Sequence, residues 1–419
     1  LVSAEKTAGN LNGPSVYDRL VAQTEETHRL FSAHWEITYR CNEQCSHCYL
    51  DVLPANAEAT GELTTEECFG VIDQLAELGV MNLLFSGGEI LARRDFFEIA
   101  RYARSKRILL RLYTNGILIT PRVADEIAAL HPYSVEISLY SVNPEIHDKI
   151  TGRDRSWELT MRAFSLLHDR GVRTKMKVPL MRENFRELRE MEQLAANVGA
   201  QFRYDTTITP KDNGGLAPLK HRLGHEELVW LFREVLDAHA WATRRVSTDA
   251  RTCGIGLNSV AIDPYGNIFP CVQTRELAGN LRERPLKAIW EESLVWQEFA
   301  RFTVSELPVC RDCELLNLCV RCHGLAQVED GDLRGPAFAN CREALARRQV
   351  LIEKGALSAD FPVPAHLKAY AEECGTPYEQ KQIFFSNFIP AAALRIRSRN
   401  AFDRAGEMIK TDRAEENRL

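Results

Sequence analysis

Three cysteines within eight residues, Cys41-Asn-Glu-Gln-Cys45-Ser-His-Cys48, are the group in this chain best suited to chemistry. The spacing C-x3-C-x2-C puts three thiolates on one tight loop, where each can hold one iron of a four-iron cluster. The fourth iron then has no protein ligand, and an open coordination position separates a reactive metal site from a structural one. His47, just before the last cysteine, is a flat ring able to lie against a bound base. The plainer readings are a zinc knuckle or a group of buried thiols. Zinc ordinarily takes four ligands, often as C-x2-C pairs, and no fourth Cys or His is suitably placed nearby.

The second half carries seven more cysteines in its own pattern. Cys253 and Cys271 are spaced C-x12-G-x4-C through Gly266; Cys310-x2-Cys313-x5-Cys319-x2-Cys322 and then Cys341 come after them. The four-cysteine run alone reads as a zinc ribbon. Seven cysteines exceed the needs of one zinc and approach the eight that two four-iron clusters take. Cys68 lies in a helical pattern and reads as a buried thiol; Cys374 is ambiguous.

The apolar run His34–Tyr39 directly precedes the first triplet, so the triplet sits on a loop leaving a strand. Further strands are predicted at Met81–Phe85, Ile108–Tyr113, Ser134–Leu139, Thr174–Val178 and Gln201–Thr206. Helical periods fall at Thr65–Leu78, Arg94–Ser105, Pro121–Leu130, Trp157–Arg170 and Phe185–Val198, with a last one at His225–Ala240. Asp95, Thr120 and Ser156 read as N-caps, and Gly79, Gly171 and Gly199 as helix stops. Sixfold strand–helix alternation implies a parallel sheet with right-handed crossovers, too few for a closed eight-stranded barrel. Chemistry in such folds gathers at the C-terminal strand ends. Strand two ends in Phe85-Ser-Gly87-Gly88-Glu89, where two glycines permit close backbone approach and Glu89 offers an acceptor for an ammonium. Strand three ends Tyr113-Thr-Asn115-Gly, and Ser138 lies near the end of strand four. Lys175 and Lys177 share one face of strand five, to meet an anionic group or to be solvated. Asp205 is a candidate polar contact inside the sheet. A long loop, Thr209–Leu223, either lines or covers a site or is a disordered surface excursion, and Asn258–Pro270 reads as a hairpin.

The triplet with its aromatic His47 resembles the signature of the radical S-adenosylmethionine (radical SAM) superfamily. The resemblance implies a partial (β/α)6 TIM-like barrel in which Cys41, Cys45 and Cys48 ligate a [4Fe-4S] cluster. That cluster reductively cleaves S-adenosylmethionine to a 5′-deoxyadenosyl radical. Gly87-Gly88-Glu89 resembles the motif that binds the methionine amino group, and Asn115 and Ser138 fall where the family contacts the cofactor. The second cysteine set resembles the SPASM domain, an α+β module with two auxiliary iron–sulfur clusters. By that resemblance Cys253, Cys271 and Cys322 hold the first, and Cys310, Cys313, Cys319 and Cys341 the second. The spacing Cys319-x2-Cys322 is one residue shorter than the family's usual three. The first auxiliary cluster then has three protein ligands. Its fourth position is open or taken by Cys374, another side chain or substrate.

The expected domains are an N-terminal extension (1–33), the partial barrel (34–240), the SPASM domain (241–345) and a helical C-terminal extension (346–419). A net charge of -6 gives no electrostatic footprint for nucleic acid. No apolar run reaches transmembrane length, no signal-peptide core opens the chain, and twelve cysteines then point to metal ligation in a reducing cytoplasm. The architecture implies a maturase that oxidatively crosslinks a ribosomally made precursor peptide. Its partners would be a flavodoxin- or ferredoxin-type electron donor and a separate peptide-recognition protein, since residues 1–33 are too few for a winged helix. The alternatives are a formylglycine-forming sulfatase maturase, a porphyrin- or heme-modifying enzyme, and a non-enzymatic iron–sulfur electron carrier. The Gly87-Gly88-Glu89 turn argues against a pure carrier.

Overall fold

Alternation along the strands decides the architecture. On β1 (Ser32–Thr38), Ala33, Trp35 and Ile37 are buried in the apolar core, while His34 and Glu36 face the opposite side. Five further strands follow, β2 (Asn82–Gly87), β3 (Leu109–Thr114), β4 (Ser134–Ser138), β5 (Thr174–Pro179) and β6 (Gln201–Asp205), with the alternation plainest on β3 and β5. Phe85, Leu110, Leu112, Val135, Ile137, Met176 and Val178 join the core under the crossover helices. The chain is described here from a computed structural model, over residues 15–368 apart from residue 59.

The six strands pair in parallel and in chain order. The helices between them are Thr65–Glu77, Phe96–Ser105, Pro121–Ala129, Ser156–His168 and Leu188–Asn197. Gly79, Gly171 and Gly199 stop helices with positive φ, as expected. Thr120 caps its helix by accepting from the Val123 amide. Two expected caps differ. Asp95 precedes its helix but spends its carboxylate on Arg93, at 2.9 Å. Arg155, in the left-handed region, takes the cap position expected of Ser156, which lies buried one residue further on. The helical period at His225–Ala240 is two helices, His225–Val235 and Ala238–Thr243, because Asp237 starts a new one by accepting from the Ala240 amide.

The sheet does not close on itself. β1's second edge pairs in parallel with β7 (Ser259–Ile262), which turns back through Asp263–Gly266 into β8 (Asn267–Phe269) and then β9 (Gly279–Asn280). The strand order is therefore β9-β8-β7-β1-β2-β3-β4-β5-β6. The expected hairpin exists, and it extends the barrel sheet. Beyond the sheet, the helix Phe338–Glu353 carries Cys341 and packs against His225–Val235, with Arg347 over the Phe232 and Trp241 rings at 4.6 Å. Of the expected C-terminal extension, residues 346–368 are described; Cys374 lies outside the described residues.

Candidate active site

The cysteine loop leaves β1 at the C-terminal end of the sheet, and its backbone is tied down on two sides. Gln44 and Ser46 donate to the carbonyls of Thr151 and Ile150, at 3.0 and 2.9 Å. These lie at the end of a helix, Pro144–Thr151, that sequence reasoning missed although Asn143-Pro144 is a helix-start signal. On the other side Gly88 N donates to Thr38 O and Glu89 N to Arg40 O, both at 2.8 Å. A Cβ on Gly87 would stand 2.2 Å from Thr38 O, and one on Gly88 2.3 Å from Arg40 O. The backbone these glycines approach so closely is the chain's own. They let the strand-two turn support the cysteine loop.

Glu89 is fully buried and accepts from the Leu91 amide (3.0 Å), the Thr114 hydroxyl (2.8 Å) and the Asn115 amide (2.8 Å). Burial pushes its carboxyl up, and these three donors pull it back. A carboxylate has about four acceptor positions, so one remains, on the oxygen facing Asn115. Asn115 donates in turn to Asn42 Oδ1 at 2.8 Å, and the Asn42 amide nitrogen is buried with no partner. Thus the turns after β2 and β3 and the cysteine loop form one hydrogen-bonded unit.

Within that loop Cys41, Cys45 and Cys48 lie together. Burial pushes Cys41 up to about 12, Cys48 to about 11 and Cys45 well above its ordinary value, and the Glu43 carboxylate and the neighbouring thiols add to this for Cys41 and Cys45. A bound metal would neutralise the thiolate charge that burial penalises. Sequence reasoning missed Glu43, which is buried, accepts from Ser156 at 2.5 Å and stands 3.8 Å from Cys45 Sγ. It also missed Tyr140, whose hydroxyl lies 3.8 Å from the same sulfur. His47 packs edge-to-face on Tyr140 at 4.7 Å, and burial lowers its pKa to about 3, so the ring is neutral. Ser138 ends β4 directly opposite Lys177.

The seven patterned cysteines of the second half, Cys253 to Cys341, fall into two sets. Beyond the effect of burial, Cys322 feels the charges of Cys271 and Cys253, whereas Cys341 feels those of Cys319, Cys310 and Cys313. The short Val320-Arg321 spacing is absorbed because Arg321 turns inward, donating to the carbonyls of Gly335 and Leu333. That leaves Cys322 with the first set, its Sγ 3.1 Å from Gln273 Oε1. Among the described residues, no three His, Cys, Asp or Glu side chains are set to hold a single metal ion. In a four-iron cluster each thiolate takes a different iron. Cys68 is a fully buried helix thiol bonded to Leu63 O.

A buried ionic network joins these parts. Arg275, from the second half, reaches both oxygens of Glu36 on β1 at 3.0 and 2.9 Å, and Asp212 at 2.9 Å. Tyr49 of the cysteine loop donates to Glu36 at 2.6 Å, and Asp212 N donates to Tyr49 O at 2.8 Å. The loop expected to cover the site therefore docks on the cysteine loop.

A parallel partial barrel with a three-cysteine loop after its first strand and further cysteine sets behind it defines a class: enzymes that generate radicals from S-adenosylmethionine. The radical SAM superfamily model matches residues 35–195, and that of the SPASM iron-sulfur cluster-binding domain matches residues 253–314. The chain is 30% identical over 303 residues to the mycofactocin maturase MftC of Mycolicibacterium smegmatis, covering 68% of this chain and 76% of that one. It is 28% identical over 325 residues to an AdoMet-dependent heme synthase of Methanosarcina barkeri, covering 71% and 92%. In structure it resembles Streptococcus suis SuiB bound to its precursor peptide SuiA, with a TM-score of 0.59 and 14% identity over 79% and 82% of the two chains. The chain belongs to the radical SAM superfamily and carries a SPASM domain. It is a radical SAM enzyme whose cofactors are a [4Fe-4S] cluster, S-adenosylmethionine and auxiliary iron–sulfur clusters. Among the described residues no helix is long and apolar enough to cross a membrane.

Proposed function

We propose that this enzyme matures a ribosomally synthesised precursor peptide by oxidative crosslinking, forming a C–C or C–heteroatom bond. The observation that carries the reading is the relationship to the mycofactocin maturase across two thirds of both chains, together with two separate cysteine sets in the second half. Cys41, Cys45 and Cys48 would hold the reactive cluster, and Glu89, Asn115, Ser138 and His47 would surround S-adenosylmethionine. With both bound, the site supplies a 5′-deoxyadenosyl radical. One substrate hydrogen atom would go to the radical, giving 5′-deoxyadenosine; bond formation would then release a proton and one electron, for which an auxiliary cluster held by the second-half cysteines would be the acceptor. A cytoplasmic flavodoxin- or ferredoxin-type donor supplies the first electron, and a separate recognition protein presents the peptide. The match along 92% of the heme synthase favours one second reading, a porphyrin- or heme-modifying enzyme.

The test is a search of the gene's neighbourhood for a short precursor peptide, followed by the product the enzyme forms from it. The expected mass is lower by two hydrogens. Cys310→Ala should abolish product and spare reductive cleavage of S-adenosylmethionine. Product of unchanged mass, with deuterium returned to the substrate carbon, refutes crosslinking.

A further inference from the structure

Arg321 stands in the gap between Cys319 and Cys322, and those two cysteines belong to different sets. It is 5% exposed. Every hydrogen bond its guanidinium makes goes to a neutral acceptor. Nε and Nη2 donate to Gly335 O at 3.2 and 2.6 Å, and Nη2 also to Leu333 O at 2.5 Å. Nη1 lies 2.7 Å from His323 Nδ1. A guanidinium can only donate, so Nδ1 accepts, and the ring's proton on Nε2 goes to the Thr252 hydroxyl at 3.1 Å. These bonds satisfy the donors and leave the charge uncompensated by any partner within them.

The charge is shared between the two sets. Thr252 directly precedes Cys253, and Leu333 packs in the same apolar cluster as Cys253 and Cys271. Burial raises the thiols of Cys310, in the second set, and Cys253, in the first, and the Arg321 charge pulls both back. Asp330 also feels that charge, without an ion pair to Arg321 among the described residues. The other guanidiniums beside the second set are placed differently. Arg347 pairs with Glu343 at 2.8 Å, and Arg244 is only half-buried, donating to the carbonyls of Leu316, Asn317 and Cys319.

We infer that Arg321 is the shared counter-charge of the two auxiliary clusters and raises their reduction potentials. The inference rests on the assignment of the two cysteine sets to iron–sulfur clusters. One-electron reduction adds a negative charge to a cluster, and a buried cation near its ligating sulfurs favours the reduced form. The test is an EPR-monitored potentiometric titration of the full chain bearing Cys41/Cys45/Cys48→Ala, in which the auxiliary clusters alone contribute. About eight irons in that parent protein support the cluster assignment independently of any potential; without them the assignment falls, and the inference with it. Arg321→Met and Arg321→Lys are made in the same background and compared at matched iron content. At the parent's midpoint potential, Arg321→Met should lower the ratio of reduced to oxidised auxiliary cluster at least tenfold, a shift of about 59 mV downward. Arg321→Lys keeps the charge and should change that ratio less than threefold. If Arg321→Met binds no auxiliary iron, retention of both iron and potential by Arg321→Lys supports the same conclusion. Any smaller fall in Arg321→Met overturns the inference. So does an equal shift, or an equal loss of iron, in both variants, which would make Arg321 a clamp on the Gly335 and Leu333 carbonyls.

Discussion

Replacing Glu89 by Gln keeps the size of the side chain and removes its charge, and the surrounding donors set the cost. One carboxylate oxygen accepts from Leu91 N and Thr114 Oγ1, the other from Asn115 N. An amide offers only one accepting oxygen. If that oxygen keeps the first two donors, the new NH2 faces the Asn115 amide, donor against donor. Leaving one buried N–H unsatisfied costs about 1–3 kcal/mol of stability. The loss to cofactor binding is separate. The remaining acceptor position is the one available to an ammonium, and a charge-assisted hydrogen bond contributes about 1.5–3 kcal/mol. S-adenosylmethionine affinity should therefore fall by about ten- to hundredfold, measured by anaerobic equilibrium dialysis at matched iron content. Thr114→Val separates the two effects, because it removes a hydroxyl donor and leaves the charge; its affinity should stay within a few-fold. Glu89→Gln with wild-type affinity and wild-type uncoupled 5′-deoxyadenosine production would show that Glu89 only holds the turn.

Cluster content and the buried network give two more predictions. Reconstituted wild type should bind about twelve irons if all three clusters are four-iron cubanes. The triple Cys41/Cys45/Cys48→Ala variant should lose about a third of them and all S-adenosylmethionine cleavage; stoichiometric zinc in the second half, without extra iron, would refute the assignment. Arg275→Met strands Glu36, fully buried, beside Asp212. It should destabilise the holoenzyme by about 3–5 kcal/mol in anaerobic urea unfolding, and a loss under about 1 kcal/mol would mean the network is effectively hydrated.

What the sequence disclosed was local or repeated. Each of the six strands lies within two residues of its expected bounds, because alternation and the glycine stops are written in adjacent residues. The cysteine spacings were equally legible. Partnerships across long separations were not. Nothing near Arg275 signals that its charge is spent on Glu36, 239 residues away. Ser156 looked like a cap because Ser before an apolar period commonly is one. Its hydroxyl instead serves Glu43, 113 residues earlier, a contact that exists only once the barrel has formed. Lys175 and Lys177 were equivalent in sequence; in the fold Lys175 pairs with Glu136, whereas Lys177 lies over the Tyr113 ring.

The pairing of β1 with β7 has a consequence for how this chain is made. β1 is the first strand of the sheet to leave the ribosome, and β2 soon covers one of its edges. The other edge waits for Ser259–Ile262, roughly 220 residues later. At elongation rates of about 5–20 residues per second that is on the order of ten to forty seconds, during which a row of backbone donors and acceptors lies bare. The nascent barrel is thus open to intermolecular strand pairing until the second half of the chain arrives. Fragments ending near residue 240 should precipitate where the longer chain does not, and adding back residues through the β7–β8 hairpin should restore solubility before any cluster is assembled.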